Sequence, residues 1–301
     1  MMAGPTLFQR YLLPGFAFKA VVIGGGYATG RELTEFFLPS GPRGGVLGMV
    51  LAMAIWSAVC ALTFLFARAV GALDYRTFFK ALLGRFWVAY EIVYGLFIVL
   101  ILAVFAAAAG AIGQALFGWP TLAGTLCLVG AIAAIAVFGN NAVERLFKYA
   151  TLFIYAVYAL FVVLALSSFG GKIAASFALP TPIHGWALAG LSYSGYNVIA
   201  AVVVLPVLRH MTSGRDAFTA GLLAGPLAML PAILFFVCMA AYYPEIGNAT
   251  LPSDFLLRRM NAPFLHYLFQ LMIFAGLLES AVASVNAINE RAATAWRAGR
   301  G

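Results

Sequence analysis

Apolar residues run through this chain in long blocks, separated by short clusters of Arg, Lys, Asp, Pro and Gly. A hydrocarbon core about 30 Å thick takes around 20 residues of helix. Eight blocks meet that length, at about 11–38, 45–70, 86–117, 120–138, 143–169, 186–208, 217–243 and 263–288. The third is long enough to tilt strongly. Between the second and third, Asp74 to Gly84 reads as a short amphipathic helix in the membrane interface, with Arg76, Lys80 and Arg85 facing water. Pro226 and Pro231 predict kinks in the seventh block. The loop after it predicts a short helix around Ser253 to Met260. All of this belongs to a single transmembrane domain, residues 1–301.

Composition leaves no room for a water-soluble reading. Apolar residues make up 64% and charged residues 9%, where soluble proteins carry roughly 25% charged. The net charge of +8 sits in short loops and tails, so it predicts topology and not a nucleic-acid partner. With the N-terminus inside, twelve basic residues collect on the cytoplasmic side (Arg10, Arg68, Arg76, Lys80, Arg85, Arg145, Lys148, Arg209, Arg215, Arg291, Arg297, Arg300) against four outside (Arg43, Lys172, Arg258, Arg259). The bias puts both termini in the cytoplasm. No small-residue cleavage site follows the first apolar run, so no removable signal peptide is expected. Cys60, Cys127 and Cys238 fall in separate blocks and read as buried free thiols. His184, His210 and His266 make no metal-ligand spacing, so neither a metal nor any other cofactor is expected.

Two blocks are poorly written as plain spanning helices. The first contains Gly24-Gly25-Gly26-Tyr27-Ala28-Thr29-Gly30, followed by Arg31, Glu32 and Glu35. Each glycine costs up to about 1 kcal/mol in a helix interior. Small residues alone permit close helix packing, but packing does not account for the charges in the next turns. The sixth block is interrupted at its centre by Ser192-Tyr193-Ser194-Gly195-Tyr196-Asn197. Paired interruptions in corresponding halves are a pointer to a transporter binding site. Freed backbone groups at membrane depth are tolerated only where protein or a watery cavity satisfies them. The interrupted blocks lie five apart, which predicts two five-helix repeats of opposite sense. Candidate substrate-binding residues are therefore Gly24, Gly25, Gly26, Tyr27, Thr29, Gly30 and Glu32 with Tyr193, Ser194, Gly195 and Asn197.

These two motifs, in this order, resemble the YkvI-like membrane proteins, in which a Gly-Ala-Gly-Phe-Ala-Ser-Gly-Gln-Glu-like sequence occupies the first helix. That group looks like part of the amino acid–polyamine–organocation superfamily. The resemblance implies an all-α polytopic protein of the bacterial plasma (inner) membrane with a LeuT-like inverted-repeat bundle, in which helices 1 and 6 are broken. That fold has ten core helices, and the blocks here number eight. The resemblance further implies a secondary transporter of an amino acid or related amine, coupled to H+ or Na+, with the small solute and the bilayer as partners, alone or as a homo-oligomer. Arg31 resembles the outer-gate arginine of that fold. Phe274 to Ser280 resembles the segment that supplies hydroxyl ligands to sodium in sodium-coupled relatives, with Glu279 beside Ser280 in place of a hydroxyl.

Glu279 lies about 24 Å along its helix at 1.5 Å per residue, in the cytoplasmic half of the bilayer. A carboxylate near a helix centre costs about 2.5–3.5 kcal/mol or more unless protonated, paired or hydrated. It is expected either to exchange a proton as the coupling element or to pair with Lys19 in the same half. Tyr94, Tyr155 and Tyr158 could reach a central cavity from the third and fifth helices, but aromatics in membrane helices usually pack, so they stay outside the candidate site, and Glu144, Arg145 and Lys148 read as a structural cluster on one turn. Other classes are a channel, or a transporter-like sensor or assembly protein that binds solute without moving it. An enzyme is not expected. Ser192 to Gly195 lacks the leading glycine of an intramembrane serine protease, and no histidine sits mid-helix as a base.

Overall fold

The computed structural model describes residues 5–23, 27, 29–138, 140–181, 183–249 and 251–298, with backbone alone at 115, 116, 140, 287 and 290–298. The described residues are helical, without strands. A π-helical turn, Phe8–Leu12, leads into α1 (Leu13–Val22), and α2 is Arg31–Phe36. The backbone leaves the helix at Ile23 (φ −78°, ψ 77°), and Tyr27 and Thr29 are again helical. Gly30 turns the chain into α2 at φ +81°, and a Cβ there would also meet the Phe235 ring at 2.8 Å, so glycine is required twice over. α3 is Gly41–Ala69, α4 the short Tyr75–Leu83, α5 Trp87–Phe117, α6 Thr121–Val137 and α7 Asn140–Ala178. The sixth span divides into α8 (Trp186–Asn197), α9 (Ala200–Val203) and a 3-10 turn, Leu205–His210. α10 is Gly214–Met239, α11 Pro252–Arg259 and α12 Pro263–Ala298.

Among the described residues six runs are long and apolar enough to cross a membrane: Arg31–Ala69, Tyr75–Gln114, Asn141–Ala178, Trp186–Val203, Gly214–Tyr242 and Pro263–Asn286. The eight expected spans differ from these in two places. The first yields two half-helices and not one rod, and α6, at 17 residues, is shorter than a full crossing. α7 runs nine residues past its expected end at 169, through the glycine pair 170–171.

α10 packs most extensively against α3, and the reason is small residues. A Cβ on Gly221 would lie 2.3 Å from Ala61 Cα, and one on Gly225 would lie 2.4 Å from the carbonyl of Met53. The backbones meet where side chains would have stood. Both prolines of α10 lie inside a continuous helix. Each deprives the carbonyl four residues earlier of its N–H, and each freed carbonyl has a hydroxyl donor: Ser57 to Leu222 at 2.9 Å, and Tyr155 to Leu227. Tyr27 adds a third hydroxyl, to Ala228 at 2.8 Å.

Polar contacts gather at two ends. At one, Arg10 pairs with Asp216 at 2.7 Å, Arg209 with Glu144 at 2.6 Å, and Arg68 donates to the carbonyls of Met211 and Thr212. At the other, Arg43 donates to the Phe177 carbonyl, Lys172 to Tyr242, and Arg259 pairs with Glu245. Glu144 therefore answers Arg209 and His210 across a loop, and not Arg145 or Lys148 on its own turn. α4 buries Tyr75, Phe78 and Phe79 and lays Arg76 and Lys80 over the Trp87 ring. Cys60 and Cys238 are buried, whereas Cys127 is exposed on α6.

Candidate functional site

α1 lies among α7, α9, α10 and α12, so its side chains are enclosed by protein. Lys19 has 0% exposure, as has Glu279 on α12. Their Nζ–Oε2 separation is 2.5 Å. Thr151 of α7 completes a ring: Lys19 donates to its hydroxyl at 3.0 Å, and that hydroxyl donates to the other Glu279 oxygen at 2.8 Å. Two charges taken this far from water persist only when paired and hydrogen-bonded, and three helices meet that demand with one residue each. One residue on, the Ser280 hydroxyl reaches the carbonyls of Ala20 and Ile23, the latter at 2.9 Å. Both carbonyls lie at the end of α1.

Beyond that end lies a small cavity of about 70 Å³ between α1, α2, α5, the α8–α9 break and α12. Val21 and Val22 enter from α1, Ile199 and Ala200 from the break, and Ser284 from α12. Glu32 is the cavity's one charged side chain among the described residues. Its carboxylate accepts from Tyr193 at 3.3 Å. Asn197 lines the same space and donates to the Tyr193 carbonyl at 3.2 Å. Tyr94 lines it as well, buried to 2% exposure, with no protein partner for its hydroxyl among the described residues.

The expected site residues divide accordingly. Glu32, Tyr193 and Asn197 come together at the cavity, and Lys19, Glu279 and Ser280 come together beside it. Gly24, Gly25 and Gly26 lie outside the described residues. Tyr27 is buried, its hydroxyl committed to α10. Thr29 is helical, and Gly30 forms the turn just ahead of Arg31 and Glu32. Ser194 is turned back on its own helix, donating to the Gly190 carbonyl at 2.6 Å, and Gly195 has nothing within 4 Å of a built Cβ. Neither lines the cavity, which α8 meets through Tyr196 and Asn197, while Tyr193 reaches it through Glu32. Arg31 pairs with Glu35 at 2.7 Å and donates to the Ala249 carbonyl at 3.3 Å, so it joins the first span to the loop before α11.

The sequence reading missed Thr151 and Ser284, and it set Tyr94 aside as packing although it lines the cavity. A threonine or serine within an apolar block gives no signal until the facing helix is known. Among the described residues no group of His, Cys, Asp and Glu forms a metal site.

No protein-family model matches the chain. Over 283 residues it is 22% identical to the "Uncharacterized membrane protein YkvI" of Bacillus subtilis (strain 168), an alignment that covers 92% of this chain and 79% of that protein. Similarity along nearly the whole chain agrees with the helical architecture of a polytopic membrane protein, and the chain is similar to YkvI over that length.

Proposed function

We propose that this YkvI-like protein is a secondary active transporter of a small solute, an amino acid or related amine, in the bacterial plasma membrane with both termini cytoplasmic. The observation that carries the reading is the buried Lys19–Thr151–Glu279 ring, set on the same two helices, α1 and α12, that line the cavity through Val22 and Ser284. A movement of α1 that admits or releases solute also strains this pair. Separating buried charges is costly, so a proton taken up by Glu279 is the natural way to relieve it. Coupling then follows from one helix serving both sites.

A LeuT-like inverted repeat fits the packing. α3 pairs with α10, α5 with α12, and the halves of the first span with those of the sixth. Each partner lies five spans further on, as two interlocked five-helix units require. Sodium coupling is the second reading, favoured by the oxygens of Ser280, Ala20 and Ile23 gathered at the end of α1.

The test is uptake into proteoliposomes, scanning amino acids and amines under imposed pH or sodium gradients, with Glu279→Gln alongside. Uptake that follows the pH gradient and is lost in Glu279→Gln supports proton coupling through the pair. Uptake that follows sodium alone moves the coupling to Ser280 and its carbonyl neighbours. Binding without gradient-driven uptake rejects transport in favour of a sensor.

A further inference from the structure

We infer that the cavity takes a primary organic amine with an apolar body and no carboxylate, its ammonium held by Glu32, Asn197 and Tyr94. The inference rests on reading this cavity as the solute site, and narrows it.

The polar groups are few and of one kind. Glu32 offers a carboxylate that no cation pairs with among the described residues, Arg31 and Lys19 being engaged by Glu35 and Glu279. Asn197 uses its amide N–H on the Tyr193 carbonyl, which leaves its amide oxygen to accept. The Tyr94 hydroxyl has no protein partner among the described residues, though the side chain is buried. An ammonium group has three N–H donors, and these three oxygens are the acceptors it needs. A half-buried carboxylate without a counter-ion is disfavoured, and a cationic ligand relieves it.

Apart from Tyr196 and Ser284, whose hydroxyl donates to the Ser280 carbonyl at 2.9 Å, the rest of the wall is hydrocarbon, with Phe97, Ile98, Ile101 and Phe105 from α5 and Ile199 and Val203 from the α8–α9 region. Such a wall suits an alkyl or aryl body and repels further charge. Among the described lining residues no Arg, Lys or His stands ready to meet a substrate carboxylate. A zwitterion would place its carboxylate beside Glu32 or against this apolar wall, and both are unfavourable.

The experiment compares matched pairs that differ by one carboxylate: phenethylamine with phenylalanine, and isoamylamine with leucine. Binding to the purified protein is measured by calorimetry, and gradient-driven uptake is measured separately in proteoliposomes. The expected result is that each amine binds at least about tenfold tighter than its amino acid, as an unpaired buried charge demands. Glu32→Gln weakens amine binding by about 10- to 100-fold, the worth of a hydrogen bond to a charged group, and Glu32→Asp recovers part of the loss. Should Glu32→Gln fail to fold, the matched pairs on the unaltered protein still decide. An amino acid that binds as tightly as its amine overturns the inference, as does the absence of binding by either amine. Amine binding without uptake rejects the transporter reading and leaves the ligand class standing. Amino acid uptake under a gradient does the reverse.

Discussion

The Ser57 hydroxyl on α3 donates at 2.9 Å to the Leu222 carbonyl on α10, the oxygen that Pro226 deprives of its helical N–H. Ser57→Ala keeps the volume and removes the donor. Its expected cost is about 0.5–1.5 kcal/mol, the range of interhelical hydrogen bonds at membrane depth. In a Pro226→Ala background that cost falls away, since residue 226 again supplies the N–H. A thermal-unfolding double-mutant cycle in detergent measures the coupling. Additive losses would mean that Ser57 does not serve this carbonyl.

The Lys19–Glu279 pair makes a sharper prediction. Lys19→Met leaves a carboxylate uncompensated at 0% exposure, and Glu279→Leu leaves an ammonium. Each single change is expected to cost about 3–5 kcal/mol, and the double change less than either. Thr151→Val, which keeps shape and removes the bridging hydroxyl, should cost about 1–3 kcal/mol. Equal, additive losses in the double variant would show that the pair is not a unit.

Gly221→Ala puts a methyl group 2.3 Å from Ala61 Cα, so α3 and α10 must separate. Overpacking of this kind costs about 1–3 kcal/mol. Gly130→Ala on α6 meets nothing within 4 Å and gains helix propensity, so it is expected to be neutral or stabilising by up to about 1 kcal/mol. Expression yield and melting temperature of the two variants, side by side, check the contrast.

Asp216 accepts from Arg10, Tyr11 and the backbone and side chain of Thr212, and completes a capping box with Ser213 at the start of α10. Arg10 is one donor among several. Asp216→Ala should therefore destabilise more than Arg10→Ala, by at least about 1 kcal/mol, the usual worth of a helix cap. Chemical denaturation of both variants gives the order, and the reverse order would place the anchor at Arg10.

Much of this was legible from hydropathy and charge. Helices fall within each apolar block because the bilayer length and the need to satisfy backbone groups leave few alternatives. Lys19 and Glu279 were legible as a pair because a charge at that depth needs a partner. The extent of each break was not, since glycine permits a helix to stop without dictating where it does. Ser194 and Gly195 were drawn into the site by proximity in sequence to Tyr193 and Asn197, although neither lines the cavity. Thr151 and Ser284 were illegible for a different reason. Their roles depend on which helix stands opposite, a long-range property that no local pattern records.

The hydroxyl bonds onto α10 restrict how the molecule can move. Its two proline-freed carbonyls are held by different helices, Ser57 on one side and Tyr155 on the other. α10 thus acts as a rivet through two plates: α3 and α7 cannot slip past each other by a turn without baring an oxygen where no water waits to replace the lost donor. Rearrangement is steered away from the middle of the bundle and toward the joints the chain already has, at Gly30 and at the turn after Asn197.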